Sequence, residues 1–312
     1  MVFITKYQAK LIMKKTSKRN RIRQTTGGKI FSIINYTFFL LIAVIMIYPF
    51  WHVLMQSFSG VNETAAGGIF LWPKGFSLST YKSVFMNTEI WKAYGVTIFV
   101  TVTGSFVGTL LTAMTAYPLS KNRLRGGKLI MFLILFTMLF SGGMIPNYML
   151  LKNLKLLNNI FALIIPLLIS AYNVIIMKSF FQSIPDSYEE AARIDGANDV
   201  KIFFRIIIPL SKATIATITL FSAVMYWNDF FSTVLYINKK ELWSLQAYLR
   251  NMLTNTAEAM SAVGVNINLT PSINATTIKA ASIIIATVPI LIVYPFLQKY
   301  FVKGVMIGGV KG

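Results

Sequence analysis

The sequence lacks the residues that most often carry metal or redox chemistry. It contains no cysteine and one histidine, His52, among 312 residues. Without cysteine, the chain can form neither a disulfide framework nor a thiolate metal site. His52 comes at the end of the first long apolar stretch. A lone histidine there is more typical of a membrane interface than of a metal ligand or a catalytic base.

Nucleotide-binding and hydrolytic motifs are also missing. No Gly-x4-Gly-Lys-Ser/Thr sequence occurs, and Gly27-Gly28-Lys29-Ile30 lacks both the spacing and the hydroxyl residue of a phosphate-binding loop. The apolar runs contain no paired carboxylates, no Ser/His/Asp set and no cluster of metal ligands. We therefore predict that the chain is not an enzyme and binds no cofactor itself.

Long apolar runs, in contrast, fill most of the chain. Hydrophobic residues make up 55% of it and charged residues 13%, a balance that soluble domains do not have. A membrane-spanning helix needs ~20 mostly apolar residues, because its backbone polar groups must pair within the segment. The sequence predicts an all-α polytopic membrane protein with six transmembrane helices. These are Phe31–Trp51, Tyr94–Leu119, Leu129–Ile145, Ile160–Phe181, Ile206–Ile237 and Ala280–Phe301.

The basic residues predict how the chain is oriented. Nine Lys or Arg fall in residues 1–30, and four fall in the short segment 119–128. Because positive residues are retained on the cytoplasmic side, we place both termini in the cytoplasm. Residues 1–30 then form a basic tail, and residues 31–312 form a single transmembrane domain. The net charge of +20 follows from this topology and from attraction to anionic lipid head groups, and requires no nucleic acid.

The acidic residues are concentrated in one polar segment, residues 183–209, between the fourth and fifth apolar runs. Asp186 with Glu189 matches the pattern of a capped helix start, and Ser187 with Glu190 offers a competing register. Acidic residues in a first turn also complement the helix dipole. A short helix is therefore predicted at the start of this segment, on the cytoplasmic side.

The rest of the segment predicts a second helix at an angle to the first. Gly196 supplies the left-handed residue that ends a helix, and Asn198 can cap the next one. Ala191 and Ala192 would let a partner approach closely, and Glu190 would offer it one charge. An ordinary capped loop between two spans is the alternative interpretation.

These residues resemble the cytoplasmic coupling loop of ABC importer permeases. The family pattern is Glu-Ala-Ala, three residues, Gly, nine residues, then Ile-x-Leu-Pro. It occurs here as Glu190-Ala191-Ala192, Gly196, Ile206 and Ile208-Pro209, with Ile in place of Leu. Asp195 and Ala197 flank the glycine as part of the same motif. The likeness extends over about residues 30–312, through FTMLFSGGMIPNYMLLKNLKLLNN, WNDFFSTVLYI and YFVKGVMIGGVKG. It is similar to the maltose-type carbohydrate permeases, within them to the LplC/YtcP oligosaccharide permease subgroup.

The resemblance implies a type I ABC importer permease in the cytoplasmic membrane of a bacterium. Such a permease pairs with a second, different permease, two cytoplasmic ABC ATPases and an extracytoplasmic sugar-binding protein. ATP and Mg would be bound by the ATPases. The role of docking into the ATPase falls by position on Glu190, with Gly196 as the hinge, and the tail Gly308–Gly312 would reach into the ATPase dimer.

An ion-coupled secondary transporter acting alone is the rival function. Such transporters place carboxylates or broken helices near the middle of the bilayer. Asp229 is the only acidic residue in a predicted span. It follows Arg205 by ~36 Å of helix, which places it near the outer surface. This depth argues against an ion relay.

Several intramembrane residues could line a substrate path, and each has a structural alternative. Gly142 and Gly143 either stop the third span or expose backbone to a sugar. Asn173 either bonds another helix or contacts sugar, because an unpaired buried amide is costly. The segment Tyr226, Trp227, Asn228 and Asp229 either stacks and orients a sugar ring or belongs to an interfacial aromatic belt.

Two further features concern packing and the outer surface. Gly104 and Gly108 form a small-x3-small pair that favours close helix packing, with contact to a partner permease as the alternative. An amphipathic helix is predicted over Leu242–Leu253, followed by a polar loop up to Thr277.

Overall fold

The computed structural model describes residues 25–254 and 275–308, and the side chains of residues 25–254 and 276–292. Every regular element within these ranges is helical. Residues 1–24 of the predicted tail, most of the predicted polar outer loop, and residues 309–312 lie outside the described residues.

The α-helices are numbered in chain order. They are α1 Thr26–Ser57, α2 Val61–Ala65, α3 Ser79–Met86, α4 Thr88–Ser120, α5 Gly127–Leu139, α6 Met144–Asn153, α7 Ala171–Gln182, α8 Ser187–Ile194, α9 Asp199–Ile202, α10 Ile208–Leu210, α11 Lys212–Asn228, α12 Phe231–Tyr236, α13 Leu245–Thr254 and α14 Ala275–Gly308. Short 3-10 turns occupy Ile160–Leu163, Ile165–Leu167 and Lys240–Leu242, and a π turn occupies Phe203–Ile207.

Contacts divide the chain into two units, Met1–His52 and Val53–Gly312. The described part of the first unit consists of most of α1. Apolar residues occupy all sides of this helix, and none of its most apolar 18-residue window is buried inside the chain. A helix that is apolar all round is stable only where lipid or protein surrounds it.

The predicted spans agree with the helices in part. α1 and α4 are each long and apolar enough to cross a membrane unaided. Three further apolar runs each consist of two helical segments with a bend between them. α5 and α6 are bent by 113°, the segment Ile160–Leu167 and α7 by 48°, and the segment Asp199–Leu210 and α11 by 83°. The described residues thus contain two straight candidate spans, or up to five when each bent pair counts as one. The total of six stays a prediction.

The predicted fifth span, Ile206–Ile237, is not one continuous helix. The chain bends around Ser211, just after Pro209, and α11 ends at Asn228 before the separate α12 begins. Asp229 accounts for the second break, because its Oδ1 accepts a hydrogen bond from Ser232 N at 3.1 Å in the first turn of α12.

Close packing of α4 against its neighbours forms the centre of the second unit. A β-carbon added at Gly104 would lie 2.4 Å from the Tyr226 ring of α11, and one at Gly108 would lie 2.6 Å from the backbone oxygen of Leu168. Both distances are shorter than van der Waals contact, so a methyl group at either position would force its neighbour to move. The packing interpretation of this glycine pair is confirmed.

The predicted amphipathic outer helix corresponds to α13. Its buried residues, Leu245, Ala247, Tyr248, Leu249 and Met252, include members of an apolar cluster with α4 and α14. Tyr248 also accepts a hydrogen bond from Asn87 Nδ2 at 2.7 Å, which fixes α13 to the start of α4.

Candidate functional site

The polar segment 183–209 folds as a hairpin of two short helices, α8 and α9. Gly196 has φ +76°, and no atom lies within 4 Å of the position that its β-carbon would occupy. Gly196 N donates to Arg193 O at 3.0 Å, and Ala197 N donates to Ala192 O at 2.9 Å. This pair of bonds is the Schellman motif that closes a helix in the left-handed region. The predicted left-handed position is confirmed.

The second helix starts as predicted. Asn198 Oδ1 accepts a hydrogen bond from Lys201 N at 2.9 Å, so the amide caps α9. α9 continues through the π turn Phe203–Ile207 into α10 and the bend before α11. Extra-residue turns of this kind often mark functional positions in helices.

The predicted cap at the start of α8 is wrong. Asp186 stands at the N-cap position with φ −62° and ψ −22°, and its side chain makes no capping bond. Ser187 does not cap the helix either, because it already belongs to the first turn. The carboxylate of Asp186 instead accepts a hydrogen bond from Lys121 Nζ at 3.2 Å. A charged partner in the loop after α4 therefore competes successfully with the helix backbone.

The two adjacent glutamates of α8 differ in their exposure to solvent. Glu189 is 5% exposed, and its Oε1 lies 2.7 Å from Lys121 Nζ. Glu190 is exposed and forms no ion pair among the described residues. Of the two, only Glu190 is available to a partner protein in this conformation.

The two alanines divide in the same way. Ala191 is exposed, whereas Ala192 is 8% exposed and packs in an apolar cluster with side chains of α4 and α7. The prediction that Ala192 gives a partner close approach is therefore wrong, because its methyl group is enclosed by the chain itself. Ala191 remains available for that role.

Sequence reasoning missed the exposed apolar residues beside Glu190. Ile194 is 87% exposed, Val200 64% and Tyr188 51%. Large apolar side chains on a polar hairpin are a signal that the sequence does contain. They were missed because the family motif does not include them. The exposed surface of the hairpin, which also carries Glu190 and Ala191, therefore combines apolar and charged side chains, as protein interfaces do.

A second group of ion pairs joins the loop after α4 to both helices of the hairpin. Arg123 Nη2 lies 2.9 Å from Asp199 Oδ1, and Arg193 contacts the same carboxylate at 2.5 Å. The hydrogen bond from Arg123 is the main cause that lowers the pKa of Asp199. All three side chains are more than a third exposed, so solvent weakens these pairs.

Residues of the loop and of α8 enclose a polar cleft of about 510 Å³. Lys121, Arg123, Glu189, Glu190 and Arg193 are among its lining residues. Glu190 therefore helps to line a concave, charged surface. A protruding segment of a partner protein with complementary charge could bind there.

The candidate residues of the substrate path do not form one site. Asn173 Nδ2 contacts Ser222 Oγ of α11 at 3.5 Å, a long bond between helices. Tyr226 is 2% exposed and donates its hydroxyl proton to Ile164 O at 2.9 Å. Tyr226 is therefore an internal packing residue here, and not a surface on which a sugar can stack.

The remaining members of that segment are more accessible. Trp227 is partly buried against the apolar cluster of α4, α13 and α14, and its Nε1 is buried without a hydrogen-bond partner among the described residues. Asn228 is exposed, although its Nδ2 donates to Val224 O of its own helix at 2.9 Å.

Gly142 and Gly143 are exposed at the 113° bend between α5 and α6, where Gly143 has φ +86°. The helix stop at this point is confirmed.

Comparisons with known proteins agree with this architecture. The family described as "Binding-protein-dependent transport system inner membrane component" matches residues 11–307. The polygalacturonan/rhamnogalacturonan transport system permease protein YtcP of Bacillus subtilis (strain 168) is 45% identical over 285 residues, which cover 91% of this chain and 99% of YtcP. Protein LplC of the same strain is 44% identical over 292 residues, covering 93% and 98%.

A solved structure also matches along nearly the whole chain. It is a chain from the crystal structure of a bacterial ABC transporter involved in the import of the acidic polysaccharide alginate. The TM-score is 0.83 at 36% identity, with 89% of this chain and 98% of that chain covered. Since the family match and these relatives extend over almost the full length, the chain belongs to the family of inner membrane components of binding-protein-dependent transport systems.

Proposed function

We propose that this chain is the permease subunit of an ATP-driven ABC importer for an oligosaccharide, and that the hairpin 183–209 receives motion from a separate ATPase. The observation that carries the coupling role is the division of α8 into two faces. Glu189 is anchored inside the chain, whereas Glu190 is exposed and unpaired among the described residues. Ala191 and Ile194 beside Glu190 are exposed as well, so we assign Glu190 to a partner.

In the proposed mechanism, ATP binding closes two partner ATPases. The surfaces of the ATPases bind the exposed side chains of Glu190, Ala191 and Ile194 and displace α8. Because the Schellman turn at Gly196 and the apolar packing of Ala192 hold the hairpin together, it moves as a rigid lever. The lever shifts α11 through the bend at Ser211 and switches the spans between inward- and outward-facing states.

The remaining partners and the topology follow from the same proposal. A second, different permease completes the path, and an extracytoplasmic binding protein delivers the sugar. We place six spans in the membrane, with both termini in the cytoplasm. An ion-coupled carrier acting alone has no use for a binding protein, which the name of the family includes.

The cargo is proposed to be an acidic oligosaccharide. YtcP is named for polygalacturonan and rhamnogalacturonan, and the crystallised transporter imports alginate, described as an acidic polysaccharide. Galacturonan, like alginate, carries uronate carboxylates. The two cargo names among these relatives therefore share one chemical class, and that shared class supports the proposal.

Uptake measurements in a strain lacking this gene test the proposal. Labelled galacturonan oligomers and neutral malto-oligosaccharides of equal length would be supplied to strains that express the native chain, Glu190→Ala or Glu241→Ala. Glu241 is also an exposed glutamate, outside the hairpin. We expect uptake of the acidic sugar with the native chain and with Glu241→Ala, and loss of most uptake with Glu190→Ala.

Each failure has a separate meaning. Normal uptake with Glu190→Ala in a fully assembled complex would contradict the coupling role. Uptake of neutral sugars alone would contradict the cargo class. Uptake by proteoliposomes without ATP, driven by an ion gradient, would favour the secondary transporter.

A further inference from the structure

A buried ion pair joins the hairpin to the loop that follows α4. The ammonium of Lys121 lies 2.7 Å from Glu189 Oε1 and 3.2 Å from Asp186 Oδ1. Only 12% of the Lys121 side chain and 7% of the Glu189 side chain are exposed. The 2.7 Å contact lacks hydrogen-bond alignment, since Glu189 Oε1 has no hydrogen-bond partner in the described part of the chain, so attraction between the charges dominates it. Removing Lys121 leaves the buried Glu189 carboxylate with a single, more distant counter-charge among the described residues, Arg193, whose Nη2 lies 4.0 Å from Glu189 Oε2.

Aromatic packing reinforces the same connection. Tyr117 lies one turn before Lys121, and the Lys121 ammonium stands 5.8 Å from the centre of its ring. The Tyr117 ring also lies 6.2 Å from the Phe181 ring and 5.3 Å from the Phe203 ring. Phe181 precedes the hairpin on α7, and Phe203 follows α9. The last turn of α4 therefore holds both ends of the hairpin.

Charge attraction and ring packing have different consequences for movement. Apolar ring packing is non-directional, whereas a buried ion pair must stay closed or expose its charges to an apolar surrounding. Lys121 thus adds a specific link between α4 and α8 to the packing of the rings.

We infer that Lys121 is a positioning residue for energy coupling, which fastens α4 to α8 so that the two helices move together when an ATPase displaces Glu190. The inference rests on the proposed function of Glu190. Without this pair, motion of α8 reaches the spans through the chain ends of the hairpin and through the apolar packing of Ala192. With it, the motion also reaches α4, which packs along both α7 and α11.

A charge-swap series in the complete transporter tests the inference. The variants are Lys121→Glu, Glu189→Lys and the double exchange, measured in proteoliposomes as sugar transported per ATP hydrolysed. We expect each single reversal to lower this ratio by ~10-fold or more, because it places like charges together in a buried site. The double exchange restores opposite charges between positions 121 and 189 but leaves Asp186 and Arg193 beside like charges, so it should recover part of the ratio. Lys92→Gln is the matched control, since it breaks the exposed ion pair with Glu89 near the start of α4, away from the hairpin, and should change the ratio little.

The outcomes separate coupling from simple stability. An unchanged ratio in Lys121→Glu would overturn the inference. So would a double exchange that regains normal assembly but not the ratio, since Lys121 and Glu189 would then serve folding alone. If Glu190→Ala transports normally, the proposed function fails. If only the Lys121 series transports normally, the proposed function stands and this inference fails.

A distance measurement provides a readout that does not depend on activity. The chain contains no cysteine, so spin labels can be placed at Asn122→Cys and Ser187→Cys without further changes to it. We expect the distance between the labels to stay the same with and without ATP in the native background, and to vary with nucleotide in Lys121→Met. A distance that changes with nucleotide in the native background would contradict movement as one body.

Discussion

Gly196 has a backbone conformation that other residues adopt only at a cost, and the space around it is empty. A substitution there tests conformation without steric interference. Left-handed geometry costs an L-residue about 1–2 kcal/mol, more for a β-branched side chain and less for Asn. We expect Gly196→Val to loosen the hairpin and to reduce transport strongly, and Gly196→Asn to have a much smaller effect.

Hydrogen exchange of the hairpin amides, followed together with transport, checks this expectation. Equal protection and equal transport in Gly196→Val and Gly196→Asn would contradict the importance of the left-handed turn. A loss of protection in both would point to a role beyond conformation.

Trp227 has an indole N–H that is buried without a partner among the described residues. A donor in that state is free to bond a cargo hydroxyl in another conformation. Trp227→Phe keeps a ring and removes the donor. Since a hydrogen bond contributes about 0.5–1.5 kcal/mol, we expect the half-saturating sugar concentration to rise by a factor of ~2–10. The thermal stability of the complex should stay the same.

Tyr226→Phe is the control for this prediction. Its hydroxyl bonds Ile164 O inside the fold, so the change should lower the thermal stability and leave the half-saturating concentration unaltered. Unchanged kinetics in Trp227→Phe, measured on purified complex, would remove this indole from the substrate path.

Single residues differ in how far the sequence determines their role. The left-handed position at Gly196 and the cap at Asn198 follow from local chemistry, and both were predicted. Glu189 and Glu190 are chemically identical neighbours. Glu189 is buried against Lys121, which is distant in sequence, whereas Glu190 is exposed. The inward position of Ala192 has the same origin, because the cluster that covers it comes from α4 and α7.

Glycines of α4 determine how closely helices pack. The β-carbon of Gly104→Ala would meet the Tyr226 ring, which can shift, whereas that of Gly108→Ala would meet the backbone oxygen of Leu168, which cannot shift easily. We expect Gly104→Ala to cost ~1–3 kcal/mol of stability, and Gly108→Ala to cost more.

Gly95→Ala is the control within the same helix, because no atom lies within 4 Å of the added carbon. Alanine is a better helix former than glycine by about 1 kcal/mol, so Gly95→Ala should be neutral or stabilising. Thermal denaturation of the purified complex measures all three variants. Equal stability of Gly95→Ala and Gly108→Ala would contradict the packing geometry.

The sequence predicts straight helices better than bent ones. The length of the apolar runs was enough to predict α1 and α4, because each of these runs folds as one unbroken helix. The same criterion joined α11 and α12 into one run, because hydropathy measures composition and not direction. The break at Asp229 depends on a side chain capping the next helix, and the bend before α11 depends on tertiary packing around Ser211, which is fully buried.

The topology of the whole molecule can be tested directly because the chain lacks cysteine. Single cysteines would be introduced at Asn62, in the loop between the first and second predicted spans, and at Asn122, in the loop between the second and third. Both residues are exposed, and the predicted orientation places the first loop outside and the second inside. We expect a membrane-impermeant maleimide added to intact cells to label Asn62→Cys and to leave Asn122→Cys unlabelled. Opening the cells should label both. The reverse pattern would contradict the predicted orientation and, with it, the cytoplasmic position of the hairpin.

The internal bonds of the hairpin have a consequence for the thermodynamics of assembly. The Schellman turn, the Asn198 cap and the Lys121 pair order residues 183–209 before any partner arrives. The loss of conformational entropy that normally opposes association has therefore already taken place during folding. A free peptide of the same residues would lack Lys121 and the apolar cluster, and would have to become ordered on contact. We therefore expect the affinity of this hairpin for a partner to depend on preorganisation by distant parts of the chain, and not on the motif alone.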